Sequence, residues 1–212
     1  MGKIKPKKKK PAKKKKIFAP GSALALFVIF IMIGSAIGFV MLGSPTGGEE
    51  QGDRVYEDYV FSMTQDGLWV TEYENRHLRF HNLPNAVESI EIPREAIESI
   101  LNAGTITLTF HPEDENIKFI EGTRMELEDQ LQRELGIMVQ TGVLENVEPY
   151  EEIPVIDCEN ATPQNVVIKM QTKDEQEISY ENNCLQLNSN VGNSFYKMKD
   201  RLVYTLTGII ED

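Results

Sequence analysis

No charged residue occurs between positions 17 and 48, and no acidic one occurs before position 49. All 33 Asp and Glu therefore fall in residues 49–212, with only twelve of the 22 Lys and Arg, so that segment carries −21. The other ten cations are lysines crowded into residues 1–16, and the whole-chain charge of −11 is the sum of two opposed bodies. This partition excludes a plain soluble chain. The acidic balance excludes nucleic acid as the partner of the main domain. Cysteine is scarce, at two residues, and no Cys-x-x-C spacing is present, which removes a thioredoxin-like redox motif. No Gly-x-Ser-x-Gly, Walker loop, dinucleotide fingerprint or kinase signature occurs. The sequence assigns no catalytic residue, no metal ligand and no cofactor.

What it does contain is a membrane segment. Residues 23–42 are apolar but for one serine, and at about 1.5 Å per residue they span roughly 30 Å, one hydrocarbon core. Only a helix crosses there, because every backbone polar group must be paired within the segment. The expected layout is a polybasic disordered tail at 1–17, a transmembrane helix at 18–43, a linker at 44–52 and an exported acidic domain at 53–212. Lysine bias keeps the tail cytoplasmic and places the domain outside. The tail can meet anionic lipid headgroups. A cleaved secretory signal is the rival reading, but its apolar region runs to roughly 7–15 residues. Both readings export the domain. Gly34, Ser35 and Gly38 put a small-residue face on the helix, the spacing used for helix–helix contact and thus for a homo-oligomer.

Residues 53–212 read as α+β, mainly antiparallel strands with about three helices, and a possible subdomain boundary near 149–154. Strands at 56–63 and 68–73 flank Thr64-Gln65-Asp66-Gly67, a hairpin signal. A third strand is expected at 78–81, and 87–92 alternates like a short fourth. Pro93 to Gly104 reads as a helix with Ile97, Ile100 and Leu101 on one face. Thr105–Phe110 alternates as a strand. Thr123 and Glu126 form a capping-box pattern ahead of Leu127, Leu131 and Leu135, with Gly136 as terminator. Asp129 and Arg133 stand at i, i+4. Strands are expected at 164–171, 177–180 and 184–188. A last helix follows Asn193 or Ser194, with Phe195, Met198, Leu202 and Leu206 on its face and Gly208 at its end.

Cys158 and Cys184 both lie on the exported side, where a disulfide is the natural state; unpaired buried thiols, and redox chemistry or a metal, are the alternatives. Asn160-Ala161-Thr162 is an N-glycosylation sequon, so Asn160 is a candidate acceptor. His77 and His81 have the spacing of a zinc-binding helix, but their surroundings predict strand, which would set them about 13 Å apart. They and His111 read as structural or surface residues. The Glu113-Asp114-Glu115 cluster lacks the spacing and glycine of a calcium loop. Trp69, Tyr56, Tyr59, Phe61 and Tyr73 are either a recognition platform or core, and alternation favours core.

Asp157-Cys158-Glu159-Asn160-Ala161-Thr162, then Asn183-Cys184, then Asp200-Arg201-Leu202-Val203-Tyr204 running to Gly208-Ile209-Ile210, resembles uncharacterised archaeal single-span membrane-anchored proteins with a two-cysteine exported domain. The lysine tail and single anchor are similar too. The resemblance implies a paired-cysteine exported domain and transfers no activity or site residue. The expected function is a binding or assembly module at the outer membrane face, with an envelope protein as a candidate partner. The alternative is a membrane-tethered hydrolase or thiol enzyme acting on envelope substrates.

Overall fold

The computed structural model describes residues 52–211. The tail, the apolar span with Gly34, Ser35 and Gly38, and the linker up to residue 51 lie outside the described residues. Among the described residues no helix is long and apolar enough to cross a membrane. The described residues form an α+β fold of two sheets and three α-helices.

The first sheet is an antiparallel meander of β1 (Arg54–Tyr56), β2 (Tyr59–Met63), β3 (Trp69–Tyr73) and β4 (Arg76–Phe80). Its turns are local. Gly67 at φ +82° closes the β2–β3 turn. Glu74 and Asn75, at φ +48° and +64°, make the two-residue β3–β4 turn. The long strand expected at 56–63 is broken at Glu57, whose φ of +50° folds β1 back onto β2. Residues 87–92 are not a strand. They continue the turn that starts in the 3-10 segment Pro84–Ala86, and Val87 is buried there as a plug.

The first sheet meets the expectation of mainly antiparallel strands, and the second is mixed. The order of the second is β6–β5–β7–β9–β8, from β5 (Thr105–Phe110), β6 (Val139–Val143), β7 (Asn165–Gln171), β8 (Glu177–Glu181) and β9 (Cys184–Asn188). β5 is parallel to both β6 and β7, and β7 is parallel to β9; only β8–β9 is antiparallel. β7 and β8 are consecutive in the chain but do not pair: β8 turns back through Asn182 and Asn183, both at positive φ, and pairs with β9. Central strands are buried on both faces. In β5 the alternation of Ile106, Leu108 and Phe110 with Thr107 and Thr109 therefore marks two buried sides. The threonine hydroxyls are satisfied inside: Thr107 donates to Asn165 Oδ1 at 2.8 Å and Thr109 to the Ile156 carbonyl at 2.6 Å.

Helix α1 (Arg94–Asn102) buries Ala96, Ile97 and Ile100, while Leu101, expected on that face, is 56% exposed. Helix α2 (Ile117–Asp129) starts six residues before Thr123. Thr123 is thus buried mid-helix, and the capping-box reading of Thr123 and Glu126 is wrong. The helix continues as a π-turn over Gln130–Glu134 and stops at Gly136, whose φ is +71°. The expected Asp129–Arg133 pair forms, at 2.6 Å. Helix α3 (Ser194–Leu206) ends before Gly208 at φ +70°. It packs on β9 and α2 and, through Tyr204, on the first sheet: Tyr204 stacks on Phe80 at 3.9 Å and meets Phe61 edge-on at 6.0 Å. Phe61 is core, and Tyr56, Tyr59, Trp69 and Tyr73 pack partly buried against it, so the aromatic set is a packing group.

Candidate functional site

A helix packed on several sides has little room for charge, yet α3 carries Lys199, Asp200 and Arg201 in succession, all buried. Each is paired. Lys199 Nζ lies 3.1 Å from Glu126 Oε2 of α2 and 2.8 Å from Asp200 Oδ1, the latter an ion pair outside hydrogen-bond angles. The other Asp200 oxygen accepts both the Asn82 backbone N–H and its side-chain amide, each at 2.8 Å. Arg201 donates to the Ile90 carbonyl at 2.7 Å and to Thr205 at 2.8 Å. Tyr204 donates to the Asn82 carbonyl at 2.7 Å. The His81 imidazole reaches both Glu126 oxygens, at 3.0 and 2.9 Å, and packs on the Tyr196 ring at 4.1 Å.

The electrostatics follow the geometry. Burial pushes the Asp200 carboxyl above its ordinary value, more than Lys199 and Asn82 pull it down. Burial acts the same way on Glu126, but the His81 hydrogen bond and the Lys199 charge together outweigh it and hold that carboxyl low. Burial and the Asp200 charge both raise the Tyr204 phenol. Because Glu126 is lowered in the fold, its stabilising contribution is present above about pH 4.5, its ordinary value, and is lost as pH falls through the folded value. Asp200 has the opposite sign, its contribution being present below pH 3.8 and lost as pH rises through the folded value. We expect Glu126→Gln to flatten the decline in urea midpoint between pH 5 and pH 3. Parallel declines in wild type and variant would remove Glu126 from the acid limb.

This network joins three pieces: the segment after β4, helix α2 and helix α3. Between β4 and α2 it leaves a groove of about 600 Å³, within the size range of ligand sites. One wall is the outer face of β4, where His77 and Arg79 alternate with the buried Leu78 and Phe80. The other wall is α2 and its π-turn, with Met125, Glu126, Asp129, Gln130, Arg133 and Glu134. Leu68 closes one side. Two hydrogen bonds fix the walls: Gln130 Nε2 donates to the Arg79 carbonyl, and the Arg76 guanidinium donates to the Glu134 carbonyl. π-turns recur where a helix must aim side chains at a site.

Two groups in the groove are left over. Gln130 is 5% exposed, and its Oε1 has no hydrogen-bond partner among the described residues. The bond from its own Nε2 to the Arg79 carbonyl fixes which end of the amide is bare. A buried acceptor without a donor costs about 1–3 kcal/mol. The Arg79 guanidinium makes no hydrogen bond or ion pair among the described residues, although its charge contributes to lowering the Asp66 carboxyl.

The sequence-derived candidates fall elsewhere. Cys158 and Cys184 are disulfide-bonded, with Cα atoms 5.2 Å apart, tying the 3-10 turn Cys158–Asn160 to the start of β9. Asn160 is exposed in that turn, and its Oδ1 accepts the Asp157 N–H at 2.9 Å. Lys169 reaches the Asp157 carboxylate at 2.8 Å, which holds it below its usual value against burial. His111 is a surface residue 3.5 Å from Glu145. Asp114, from the acidic cluster, accepts from the Thr172 and Asn116 backbone N–H groups and braces a turn. Among the described residues no group of three or more His, Cys, Asp or Glu is placed to hold a metal ion. The buried network and Gln130 were not found by sequence reasoning. The signal available was three consecutive charges inside an otherwise apolar helical face. Comparison with protein-family models, curated proteins and solved structures finds no match for this chain.

Proposed function

We propose that the chain is a membrane-anchored extracytoplasmic binding module whose α+β domain receives a small ligand in the β4–α2 groove. The observation that carries this is Gln130, a buried residue with an unsatisfied acceptor, lining a cavity that also presents Arg79, whose guanidinium makes no hydrogen bond or ion pair among the described residues. The titratable groups of the cluster support binding over turnover: Glu126 and Asp200 both pair with Lys199, which is fully buried. The anchor and outward orientation rest on the lysine tail, the uncharged span and the disulfide, a bond at home in oxidising compartments.

One observation favours the hydrolase reading instead. His77 shares the groove with Glu126, Asp129 and Glu134, an imidazole beside carboxylates on one cavity. The two readings separate on the full chain purified in detergent, challenged with a panel of amino acids, short peptides, sugars, sugar acids and phosphate esters. Binding predicts that a panel member raises the melting temperature of the wild type and not of Arg79→Met. A ligand at a hundred times its Kd contributes about 2.7 kcal/mol. Chemical conversion of a panel member, lost in His77→Gln, would replace the binding reading with the enzyme.

A further inference from the structure

The groove's leftover chemistry narrows its ligand. We propose that it takes a hydroxylated monocarboxylate of monosaccharide size, a uronic acid being the simplest example; this rests on the groove being a binding site. Arg79 is the one lining guanidinium without an ion pair among the described residues, since Arg133 is engaged by Asp129 at 2.6 Å. A guanidinium fork matches a carboxylate bidentately. Apart from the Arg133 terminal nitrogens, what else is polar and uncommitted on the α2 wall accepts. Gln130 Oε1 is bare, the Glu134 side chain makes no hydrogen bond or ion pair among the described residues, and Asp129 spends one oxygen on Arg133. A ligand that satisfies acceptors must bring donors, and vicinal hydroxyls supply them without adding positive charge. Met125, 61% exposed on the same wall, offers a soft apolar surface for a C–H face.

Charge excludes the obvious competitor. Glu126, Asp129 and Glu134 share the cavity with Arg79 and Arg133, so the balance of charge there favours a singly charged ligand over a phosphate dianion. A singly charged ligand is neutralised by Arg79 alone. The volume of about 600 Å³ accommodates a pyranose and leaves room for a linked neighbour, so the acid can come free or as a unit of an acidic polysaccharide.

The test is a ligand-observed NMR titration of the purified full chain in detergent micelles. The probes are sodium glucuronate, glucose, acetate, glucose 6-phosphate and an oligogalacturonate. Glucuronate should bind more than tenfold tighter than glucose or acetate, and tighter than glucose 6-phosphate. Arg79→Met should weaken it on the order of ten- to hundredfold, the loss of a charge-assisted pair. Arg54→Met, which removes an exposed arginine of β1 outside the groove, should leave it unchanged. Tighter binding of the oligogalacturonate points to a polysaccharide source, and equal binding to the free acid; both support the proposal. Glucose 6-phosphate binding tighter than glucuronate, with the same Arg79 dependence, overturns the ligand class and leaves the binding reading standing. Glucuronate binding that ignores Arg79→Met overturns the assignment to this groove. Failure of all five probes overturns the class, and the wider ligand panel then decides the binding reading separately.

Discussion

Lys199→Met should destabilise the domain by about 3–5 kcal/mol, because it strips the counter-charge from a carboxylate that has no exposed surface. Methionine fills a similar volume, so the loss is electrostatic and not a cavity. Asp200 would keep its two donors from Asn82 and lose the cation 2.8 Å away. Its carboxyl, already raised by burial, would rise further, and the penalty would shrink as pH falls toward its protonation. The double variant Lys199→Met/Asp200→Asn removes both charges and keeps an amide oxygen for the Asn82 N–H. It should recover more than half of the loss, since a buried pair is costly to break and cheap to delete whole. Urea melts at pH 7 read both. A single variant within about 0.5 kcal/mol of wild type would mean that water reaches the cluster.

The second large effect is covalent. Cys158→Ala/Cys184→Ala should cost about 3.5 kcal/mol in the chain-entropy model, given that the bond closes a loop with a sequence separation of 26. The bridge holds the 3-10 turn against β9, a strand in the interior of the sheet. The loss should therefore appear in global unfolding and not as fraying of one turn. Native, unreduced protein should take up no thiol reagent at either cysteine. Reaction without prior reduction would show that the bond is open in solution.

The sequence was informative wherever the determining interactions are local. The β2–β3 turn, the Asp129–Arg133 pair, the glycine stops at Gly136 and Gly208 and the last helix all depend on residues within a turn of each other. Leu101 failed because helical periodicity gives a stripe but not which edge of it the sheet covers. Pairing of β7 with β9 failed because parallel order is decided by the finished sheet and not by neighbouring residues. Glu126 is the instructive case. It fits a capping box in sequence, but the helix begins earlier, and its carboxylate is taken by Lys199, 73 residues on. Only the groove's edge was legible: His77 and His81 were read as strand residues too far apart for one metal, and His77 is indeed in β4. Gln130 Oε1 carried no signal, because an unmade hydrogen bond is a property of the packed state.

The strand order has a consequence for how the chain becomes a protein. β5 sits second from the edge and is paired on both sides, yet one partner, β7, is itself completed only by β9 at 184–188. The cation that neutralises Glu126 and the ring that stacks on Phe80 both arrive on α3, at 194–206. β7, Glu126 and Phe80 are therefore left with an unpaired edge, no lysine and an open stacking face until β9 and α3 have joined. Non-local pairing of this kind slows folding and penalises early closure. The domain is thus built to stay open while it is being made. Closure therefore waits for α3.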